Sequence, residues 1–423
     1  MRLQGIGKSD VGMRREGNED AFLINESLGV YIVCDGMGGH AAGEVASATT
    51  TRVIGDYLLE HQDIIKSFED TPQKRKQVIE LLKSAVLLAC KTVFDMAQED
   101  TGKKGMGTTV TMLLFLGNKA ALAHVGDSRL YLCRAGKIYM LSSDHTLVAE
   151  LLARGALTPE AAEESPLSNV LTRSIGRQPS VQVDTLMFDL LTDDTFLLCS
   201  DGLTGSVNNP DELSRLLSQP NLEDLPGQLI EMANERDGSD NITAVLVRTK
   251  TDEDPQADEA WSDEVRLRLE ALRNVYLFKH LNLKELVQVM NIVHVRNCNE
   301  GDLLIKEGDK SDGLFIILEG TLSVSRGGQE ITVLSQGNHV GEMALLNREP
   351  RSATVRVVED ARVLVIEREA FYRILRTDPK IGVKLLWSVS QELSLRLSET
   401  DRRFFGPHQS GDAAADLLYP FLS

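Results

Sequence analysis

Short apolar runs bounded by turn residues predict β-strands in the first 250 residues of the chain. Each run has the usual length of a strand, about five or six residues. The runs cover residues 28–34, 120–125, 130–133, 195–199 and 242–247. Residues 41–59 and 77–97 instead show the longer periodicity of helices. Strands interleaved with long helices favour an α+β sandwich.

Short strands separated by glycines dominate the second half of the chain, after two helical patterns at residues 265–275 and 283–292. Apolar runs such as residues 314–318 and 321–325 alternate with glycines, which is typical of strands joined by tight turns. We therefore predict a small C-terminal β-roll, similar to a jelly roll, with flanking helices.

A last helical pattern, residues 378–405, carries apolar side chains at every fourth position. They are Ile381, Leu385, Val389, Leu393 and Leu397. Such a spacing places them on one face of a helix. This stripe has three interpretations: a lid over a ligand, the seam of a homodimer, or core packing.

An acidic segment separates the two halves. Residues 251–264 contain seven acidic residues and no basic one. Like charges repel, so we interpret this segment as an extended linker. The predicted organisation is a first domain over residues 1–250, a linker over 251–264, a second domain over 265–405 and a tail over 406–423.

Composition and charge narrow the possible functions. The chain has 423 residues, with 45 Lys and Arg against 63 Asp and Glu, a net charge of −18. Nucleic-acid binding needs clustered Lys and Arg, so a chain this acidic is a poor general binder. No run approaches the roughly 18 apolar residues of a membrane-spanning helix, and no secretory signal begins the sequence. The five scattered cysteines form no Cys-x-x-Cys pair. We therefore expect a cytoplasmic protein with no nucleic-acid partner and no membrane insertion.

Acidic residues stand at the ends of the predicted strands. Asp35 and Asp201 each follow an apolar strand, Asp240 precedes one, and Asp127 lies in a predicted hairpin turn. An Asp-Gly pair after a single strand is ordinarily a turn. Antiparallel pairing, however, would bring Asp35, Asp201 and Asp240 to one edge of a sheet. Carboxylates gathered there would repel one another, and a hard cation such as Mg²⁺ or Mn²⁺ would compensate them.

Six short motifs follow one another in the first domain. They are Arg15-x-x-Asn18-Glu19-Asp20, Cys34-Asp35-Gly36-Met37-Gly38-Gly39-His40, Gly107-Thr108-Thr109, Gly126-Asp127-Ser128-Arg129, Ser200-Asp201-Gly202-Leu203 and Asp240-Asn241-Ile242-Thr243. Their set and order resemble those of the type 2C, metal-dependent protein serine/threonine phosphatases. The resemblance covers residues 3–249 and implies a two-sheet sandwich flanked by helices, with two Mn²⁺ or Mg²⁺ ions in a cleft.

The resemblance also implies the metal ligands. Asp35 would bridge the two ions. Glu19 and the carbonyl of Gly36 would hold one of them, and Asp201 and Asp240 would hold the other. The implied reaction is in-line attack of a metal-activated water on phosphoserine or phosphothreonine in a protein substrate.

Further roles follow from the same resemblance. Asp127, together with Asp201, would match the third metal site of bacterial members. Asp20 would orient metal-bound water, and Arg15 would bind the substrate phosphate through its planar guanidinium group. Met37 stands where many eukaryotic relatives carry histidine, which favours the bacterial form. His40 is either a leaving-group acid or a structural residue.

Two other features of the first domain bear on catalysis. Residues 157–177 resemble the variable flap that adjoins the active site in that family. A thiolate phosphatase is excluded, because it needs Cys-x₅-Arg and no cysteine here has an arginine six positions later.

The stretch from residue 340 to residue 355 suits a small anion. Gly341 allows close approach of the backbone, a helix beginning near Glu342 would present N–H groups, and Arg351 can pair with a phosphate. The alternative is a Glu and an Arg on an ordinary surface loop. The stretch resembles the phosphate-binding cassette of cyclic nucleotide-binding domains, and the likeness covers residues 277–405.

By that resemblance, Glu342 would hold the ribose 2′-hydroxyl and Arg351 the cyclic phosphate. Gly341, Ala344, Leu345 and Ser352 would line the phosphate. Ser352 leaves open whether the ligand is cyclic AMP or cyclic GMP.

Two functions of different classes remain. The chain is either a phosphatase for phosphorylated proteins, regulated by a cyclic nucleotide, or a nucleotide-responsive scaffold with an inert phosphatase fold. Intact Asp35, Asp201 and Asp240 favour the enzyme. A third possibility, a second domain that only docks partners, is disfavoured by intact Glu342 and Arg351.

Overall fold

A computed structural model of the chain describes residues 1–38, 42–163, 165–251, 254–310, 312–346 and 349–405. The fold consists of two compact units, Met1–Ser262 and a second unit that begins at Asp263. The first unit contains two antiparallel sheets and the second contains one. The predicted α+β class, with a two-sheet sandwich followed by a β-roll, is confirmed.

The first unit is built of eleven described strands and nine described helices, the last of which continues past its end. The strands are β1 (Arg2–Asp10), β2 (Asp20–Asn25), β3 (Val30–Met37), β4 (Gly107–Thr108), β5 (Val110–Leu116), β6 (Lys119–Val125), β7 (Arg129–Arg134), β8 (Lys137–Met140), β9 (Asp184–Asp189), β10 (Thr195–Cys199) and β11 (Ile242–Lys250). The helices are α1 (Ala42–Glu60), α2 (Gln62–Lys66), α3 (Pro72–Glu99), α4 (Leu147–Ala153), α5 (Pro159–Glu163), α6 (Asp201–Thr204), α7 (Pro210–Leu217), α8 (Leu225–Arg236) and α9 (Pro255–Asn274).

The two sheets of the first unit lie face to face. One has the strand order β1-β11-β10-β7-β8, and the other has β2-β3-β5-β6-β9 with β4 beside β3. Phe196 of the first sheet meets Phe115 of the second edge to face, with ring centroids 5.5 Å apart. Helices α1 and α3 cover the outer face of one sheet, and α7 and α8 cover the other. The central strands are therefore buried on both faces and consist of continuous apolar runs.

The predicted hairpin around Asp127 is wrong. Strands β6 and β7, which flank residues 126–128, belong to different sheets, so this turn carries the chain from one sheet to the other. Gly126 has a φ of +112°, and a Cβ atom there would lie 2.6 Å from the Cβ of Thr109. The crossover thus requires glycine for two reasons, its backbone conformation and its close contact.

The extended form predicted for the acidic linker is also wrong from Pro255 onward. Helix α9 begins there, and the carboxylate of Asp254 accepts a hydrogen bond from the N–H of Ala257 at 3.1 Å. Acidic residues near a helix N-terminus are favourable, because they face its free N–H groups. Trp261 anchors the helix, since its Nε1 donates to the carbonyl oxygen of Leu190 at 3.0 Å. Residues 252 and 253 lie outside the described residues.

The second unit is a β-roll with helices at both ends. Its strands are β12 (Val293–Cys298), β13 (Leu303–Ile305), β14 (Gly313–Arg326), β15 (Gln329–Leu334), β16 (His339–Val340) and β17 (Thr354–Glu367). Its further helices are α10 (Leu283–Met290), α11 (Met343–Leu346), α12 (Arg368–Thr377) and α13 (Pro379–Phe405). The two strands predicted at residues 314–318 and 321–325 form one strand, β14, whose register shifts between Ile317 and Leu322.

Helix α13 contains the predicted apolar stripe, and its first half is core packing. Ile381 and Leu385 are buried, and Val389 packs against the same cluster. Leu393 and Leu397 are 56% and 64% exposed, so the cluster does not cover the second half. No helix in the described ranges is both long enough and apolar enough to cross a bilayer. The predicted tail, residues 406–423, lies outside the described residues.

Candidate active site

The predicted acidic residues converge where the two sheets of the first unit meet. Asp201 begins α6 directly after β10, and Asp240 lies just before β11, the antiparallel neighbour of β10. Asp20 begins β2 of the other sheet and lies opposite Asp35 on β3. The expectation that Asp35, Asp201 and Asp240 share one sheet edge is therefore wrong. The carboxyl groups approach one another across the sandwich, where burial and the charge of Asp201 raise the pKa of Asp35.

Burial and mutual repulsion raise the pKa values of these carboxyl groups. Burial, followed by the charges of Asp201, Asp20 and Asp127, raises the pKa of Asp35 well above its ordinary value. Burial and then the charge of Asp240 raise the pKa of Asp201. Burial, with the charges of Asp201 and Asp144, raises the pKa of Asp127 to about 7. These groups cannot all be ionised near neutral pH unless a cation compensates them.

The backbone around Gly36 brings Glu19 beside Asp35. A Cβ atom on Gly36 would lie 2.3 Å from the carbonyl oxygen of Gly43 and 2.4 Å from that of Glu19. A Cβ on Gly43 would lie 2.6 Å from the carboxyl carbon of Glu19. Glycine is therefore required by space at position 36, where the close atoms are backbone oxygens, and the Glu19 carboxylate lies against Gly43 at the start of α1.

The donor set fits a hard divalent cation. Its side chains are carboxylates, and Oδ1 of Asp20 is buried without a hydrogen-bond partner among the described residues. Within those residues, no three acidic, histidine or cysteine side chains are already arranged as a coordination sphere. The fit therefore rests on the identity, burial and repulsion of the carboxyl groups.

Arg15 lies at the mouth of this cluster. Its Nη2 is 2.8 Å from Oδ2 of Asp240, and the two side chains are 47% and 37% exposed. A guanidinium group in this position can be reached by a phosphate from solvent. The structure thus places Arg15 beside Asp240, one of the predicted acidic residues. His40 lies outside the described residues.

A buried histidine that the sequence did not indicate, His145, supports the crossover before Asp127. Nδ1 of His145 accepts a hydrogen bond from the N–H of Gly126 at 3.0 Å, and its Nε2 lies 3.1 Å from Asp184. Arg173, from the predicted flap, also contacts Asp184 at 2.8 Å. A single histidine with no nearby repeat gave no signal, because its partners come from distant parts of the chain.

Two hydroxyl groups that the sequence analysis did not single out contact Asp20. Ser200 Oγ and Thr243 Oγ1 donate to Oδ2 of Asp20 at 2.8 and 2.6 Å. Both lie inside quoted motifs, next to or near predicted metal ligands. The available signal was their place in those motifs, but their common partner is visible only in the fold.

The second unit assembles part of the predicted anion site. Arg351 is 7% exposed, and its Nη2 donates to the carbonyl oxygen of Gly313 at 2.9 Å and to Asp312 at 3.1 Å. Gly341 has a φ of +89°, and a Cβ there would lie 2.5 Å from Nη1 of Arg351. Phe315 lies under the guanidinium group, with the ring centroid 5.8 Å from its carbon. A buried arginine thus lies directly against the backbone of Gly341.

The remaining predicted residues of this site lie on or near α11. Ala344 and Leu345 are buried there, and their N–H groups donate to the carbonyl oxygens of Gly341 and Glu342 at 3.0 and 3.1 Å. Ser352, next to Arg351, is exposed. These two N–H groups thus close one turn at the start of the four-residue helix α11.

Both parts of the chain are similar to known proteins. Residues 13–286 match the family model "Protein phosphatase 2C", and residues 295–378 match "Cyclic nucleotide-binding domain". The serine/threonine phosphatase stp of Listeria welshimeri is 37% identical over 243 residues, which are 57% of this chain and 93% of that protein.

Solved structures agree with the phosphatase match. A serine/threonine phosphatase of S. agalactiae superposes with a TM-score of 0.52 at 33% identity, over 59% of this chain and 100% of the other. The catalytic domain of the phosphatase PstP, solved with two manganese ions, gives a TM-score of 0.51 at 31% identity over 59% and 99% of the two chains.

Proposed function

Because this chain belongs to the protein phosphatase 2C family and is a protein serine/threonine phosphatase, we propose that its acidic cluster binds two divalent cations and that it hydrolyses phosphoserine and phosphothreonine with metal-activated water. One observation carries this proposal. Buried carboxyl groups from both sheets meet at Asp35 and Asp201, with pKa values raised by burial and by one another. Such a cluster is stable in its ionised form only with cations present.

Each predicted ligand has a role in this proposal. Asp35 would contact both ions, Glu19 and the Gly36 carbonyl would hold one, and Asp201 and Asp240 would hold the other. When bound, such ions act as Lewis acids and make water a nucleophile near neutral pH. The manganese ions in the PstP structure support Mn²⁺ as a ligand here.

Other side chains of the cluster would bind the substrate and complete the site. Arg15, half exposed at the mouth, would bind the phosphate, because a guanidinium group can donate two parallel hydrogen bonds to phosphate oxygens. Asp127 would contribute to a third ion, together with Asp201. Asp20 would act beside the ligands, through the one carboxylate oxygen that has no partner among the described residues.

Phosphopeptide hydrolysis tests this function. The full chain should release phosphate from phosphoserine and phosphothreonine peptides with Mn²⁺ or Mg²⁺, and it should lose that activity in chelator. Asp35→Asn and Asp201→Asn should abolish it, while Asp95→Asn, an exposed acid on α3, should not. Full activity in excess chelator would contradict the metal-dependent reaction, and a well-folded but inactive chain would favour the scaffold hypothesis.

We also propose that a cyclic nucleotide binds the second unit and raises the phosphatase activity. Two observations support this site. The guanidinium group of Arg351 is buried against Gly341. Both residues lie within residues 295–378, which match the cyclic nucleotide-binding domain family. A phosphate would find there a desolvated, geometrically fixed cation. Glu342 would hold the ribose hydroxyl, and Ser352 lies next to Arg351 at the surface.

The regulatory proposal is tested by adding cyclic AMP or cyclic GMP to the full chain. Calorimetry measures binding, and phosphate release measures regulation. Allosteric coupling of 1–3 kcal/mol would change the rate by about 5- to 150-fold. An unchanged rate at saturating nucleotide would refute the regulation, while leaving nucleotide binding itself to be decided by the calorimetry.

A further inference from the structure

The two carboxylate oxygens of Asp20 have unequal surroundings. Oδ2 accepts hydrogen bonds from Ser200 Oγ at 2.8 Å and from Thr243 Oγ1 at 2.6 Å. Oδ1 is buried and has no hydrogen-bond partner within the part of the chain that the structure describes. An unpartnered buried carboxylate oxygen is costly, because it has lost its hydration without compensation. The side chain therefore offers a single free acceptor.

A chain of hydroxyl groups fixes the direction of these bonds. Thr243 Oγ1 also lies 2.7 Å from Ser9 Oγ. A hydroxyl group has one hydrogen, and Thr243 gives its own to Asp20, so Ser9 must donate to Thr243. The amide of Asn18 in turn donates to Ser9 Oγ at 2.8 Å. Every hydrogen in this chain thus points toward Oδ2 of Asp20.

The same chain closes on itself. The N–H of Asp20 donates to Oδ1 of Asn18 at 3.0 Å, so Asn18 is hydrogen-bonded to both Ser9 and Asp20. Thr243 adds a second link, because its N–H donates to Ser200 Oγ at 2.9 Å. Closed networks of this kind hold a side chain more firmly than single hydrogen bonds do.

The network joins the two sheets at the candidate active site. Ser9 on β1 and Thr243 on β11 are direct partners in one sheet, whereas Asp20 begins β2 of the other sheet. Ser200 directly precedes Asp201. Ser200 and Thr243 are completely buried. Water therefore cannot easily replace either hydroxyl group.

We propose that Thr243 and Ser200 are positioning residues, with Ser9 supporting Thr243. They occupy Oδ2 of Asp20 and thereby hold Oδ1 toward the cations that Asp35 and Asp201 would bind. The inference rests on the proposed function, because it assigns these hydroxyl groups to the same metal-dependent site. Partners of this indirect kind typically change metal affinity or activity by about 10- to 100-fold when they are removed.

Mn²⁺ binding to the full chain tests the role of Thr243. Thr243→Val removes the hydroxyl group at nearly constant volume and should weaken Mn²⁺ binding, measured by calorimetry, by about 10-fold or more. Thr243→Ser restores the hydroxyl group and should restore most of that affinity. Thr249→Val is the matched control: Thr249 is equally buried on the same strand, but its hydroxyl group donates to the carbonyl oxygen of Leu191. It should bind Mn²⁺ as the parent does.

The kinetics give a second reading. Thr243→Val should lower kcat in saturating Mn²⁺ and leave KM for the phosphopeptide nearly unchanged, because Arg15 is untouched. Ser9→Ala should weaken Mn²⁺ binding by a smaller factor. The double variant Ser9→Ala/Thr243→Val should lose less than the sum of the two single losses, because Ser9 and Thr243 are hydrogen-bonded in one network around Asp20. If Thr243→Val does not fold, Ser9→Ala and Ser200→Ala carry the same test.

Several results would overturn the inference. One is Mn²⁺ affinity of Thr243→Val equal to that of Thr249→Val. Another is a Thr243→Ser variant as impaired as Thr243→Val. In both cases a parent chain that binds Mn²⁺ and hydrolyses phosphopeptide leaves the proposed function standing. A parent chain that binds no Mn²⁺ at all would overturn both the inference and the proposed function.

Discussion

The pKa of Asp127 predicts how the stability of the metal-free chain depends on pH. Its carboxyl group lies in the crossover between β6 and β7, where burial and the charges of Asp201 and Asp144 raise its pKa to about 7. The perturbation is Asp127→Asn, which keeps the shape of the side chain and removes its titration.

The sign and size of the effect follow from linkage. The ordinary pKa of the group is 3.8, so between that pH and about 7 the folded state keeps a proton that the unfolded state has lost. The stabilising contribution is complete below the unfolded value and disappears as pH rises through the folded one. Each pH unit in this interval lowers the free energy of unfolding by about 1.4 kcal/mol. Between pH 5 and pH 7 the decrease is roughly 3 kcal/mol.

Urea unfolding in chelator measures this slope. The sequence has two tryptophans, Trp261 in the first unit and Trp387 in the second. In a Trp387→Phe background, Trp261 is the remaining tryptophan, and its indole N–H contacts Leu190 of the first unit. We expect the free energy of unfolding to fall between pH 5 and pH 7, and Asp127→Asn to lose about 3 kcal/mol less than the parent.

An exposed acidic residue of the same unit provides the control. Asp56→Asn changes an exposed acid on α1 and should leave the slope as it is in the parent. Saturating Mn²⁺ should reduce or reverse the slope, because bound cations favour the ionised carboxylates. Identical slopes for the parent and Asp127→Asn in chelator would show that the Asp127 carboxyl group does not cause the slope.

Three further predictions concern the backbone of the first site, the arginine of the second, and α13. Gly36→Ala should abolish Mn²⁺ binding in calorimetry, because its Cβ would lie 2.3 Å from the main-chain oxygen of Gly43; normal affinity would show that the backbone can move away. Arg351→Ala should weaken cyclic nucleotide binding in calorimetry by about 10- to 100-fold, the worth of one charged, buried hydrogen bond; an unchanged Kd would place the ligand elsewhere. Leu385→Ala should destabilise the chain in urea unfolding by about 2–5 kcal/mol, and exposed Leu393→Ala by less than about 0.5 kcal/mol; equal effects would contradict the division of α13 into a packed and an exposed half.

Local structure was largely predictable from the sequence. The apolar run at residues 195–199 is β10 residue for residue, because turn-forming residues bound a continuous buried stretch. The topology was not predictable in the same way. The turn at Gly126 has the sequence of a hairpin, yet the sheet to which each flanking strand belongs depends on distant partners. The acidic linker shows a second limit, since Asp254 caps a helix where repulsion alone predicts an extended chain.

The candidate site was predictable as a set of residues rather than as a geometry. The motifs located the acids, but only the fold shows that Asp35 belongs to one sheet, while Asp201 follows one strand of the other sheet and Asp240 precedes its neighbour. The hydroxyl network around Asp20 was out of reach, because Ser200 and Thr243 are far apart in sequence and share a partner only after the sheets pack. Residues within a single motif can therefore be predicted from the sequence, whereas contacts between motifs become visible only in the folded structure.

Because the carboxylates come from two facing sheets, the affinity of the site for a cation depends on the distance between those sheets. Any cation that contacts Asp35 together with Asp201 would link the two sheets. Its binding would therefore stabilise the packed sandwich. The aromatic contact of Phe115 with Phe196 serves the same closure from within. Substitutions between the two sheets, at residues that contact no ligand, would therefore change the metal affinity.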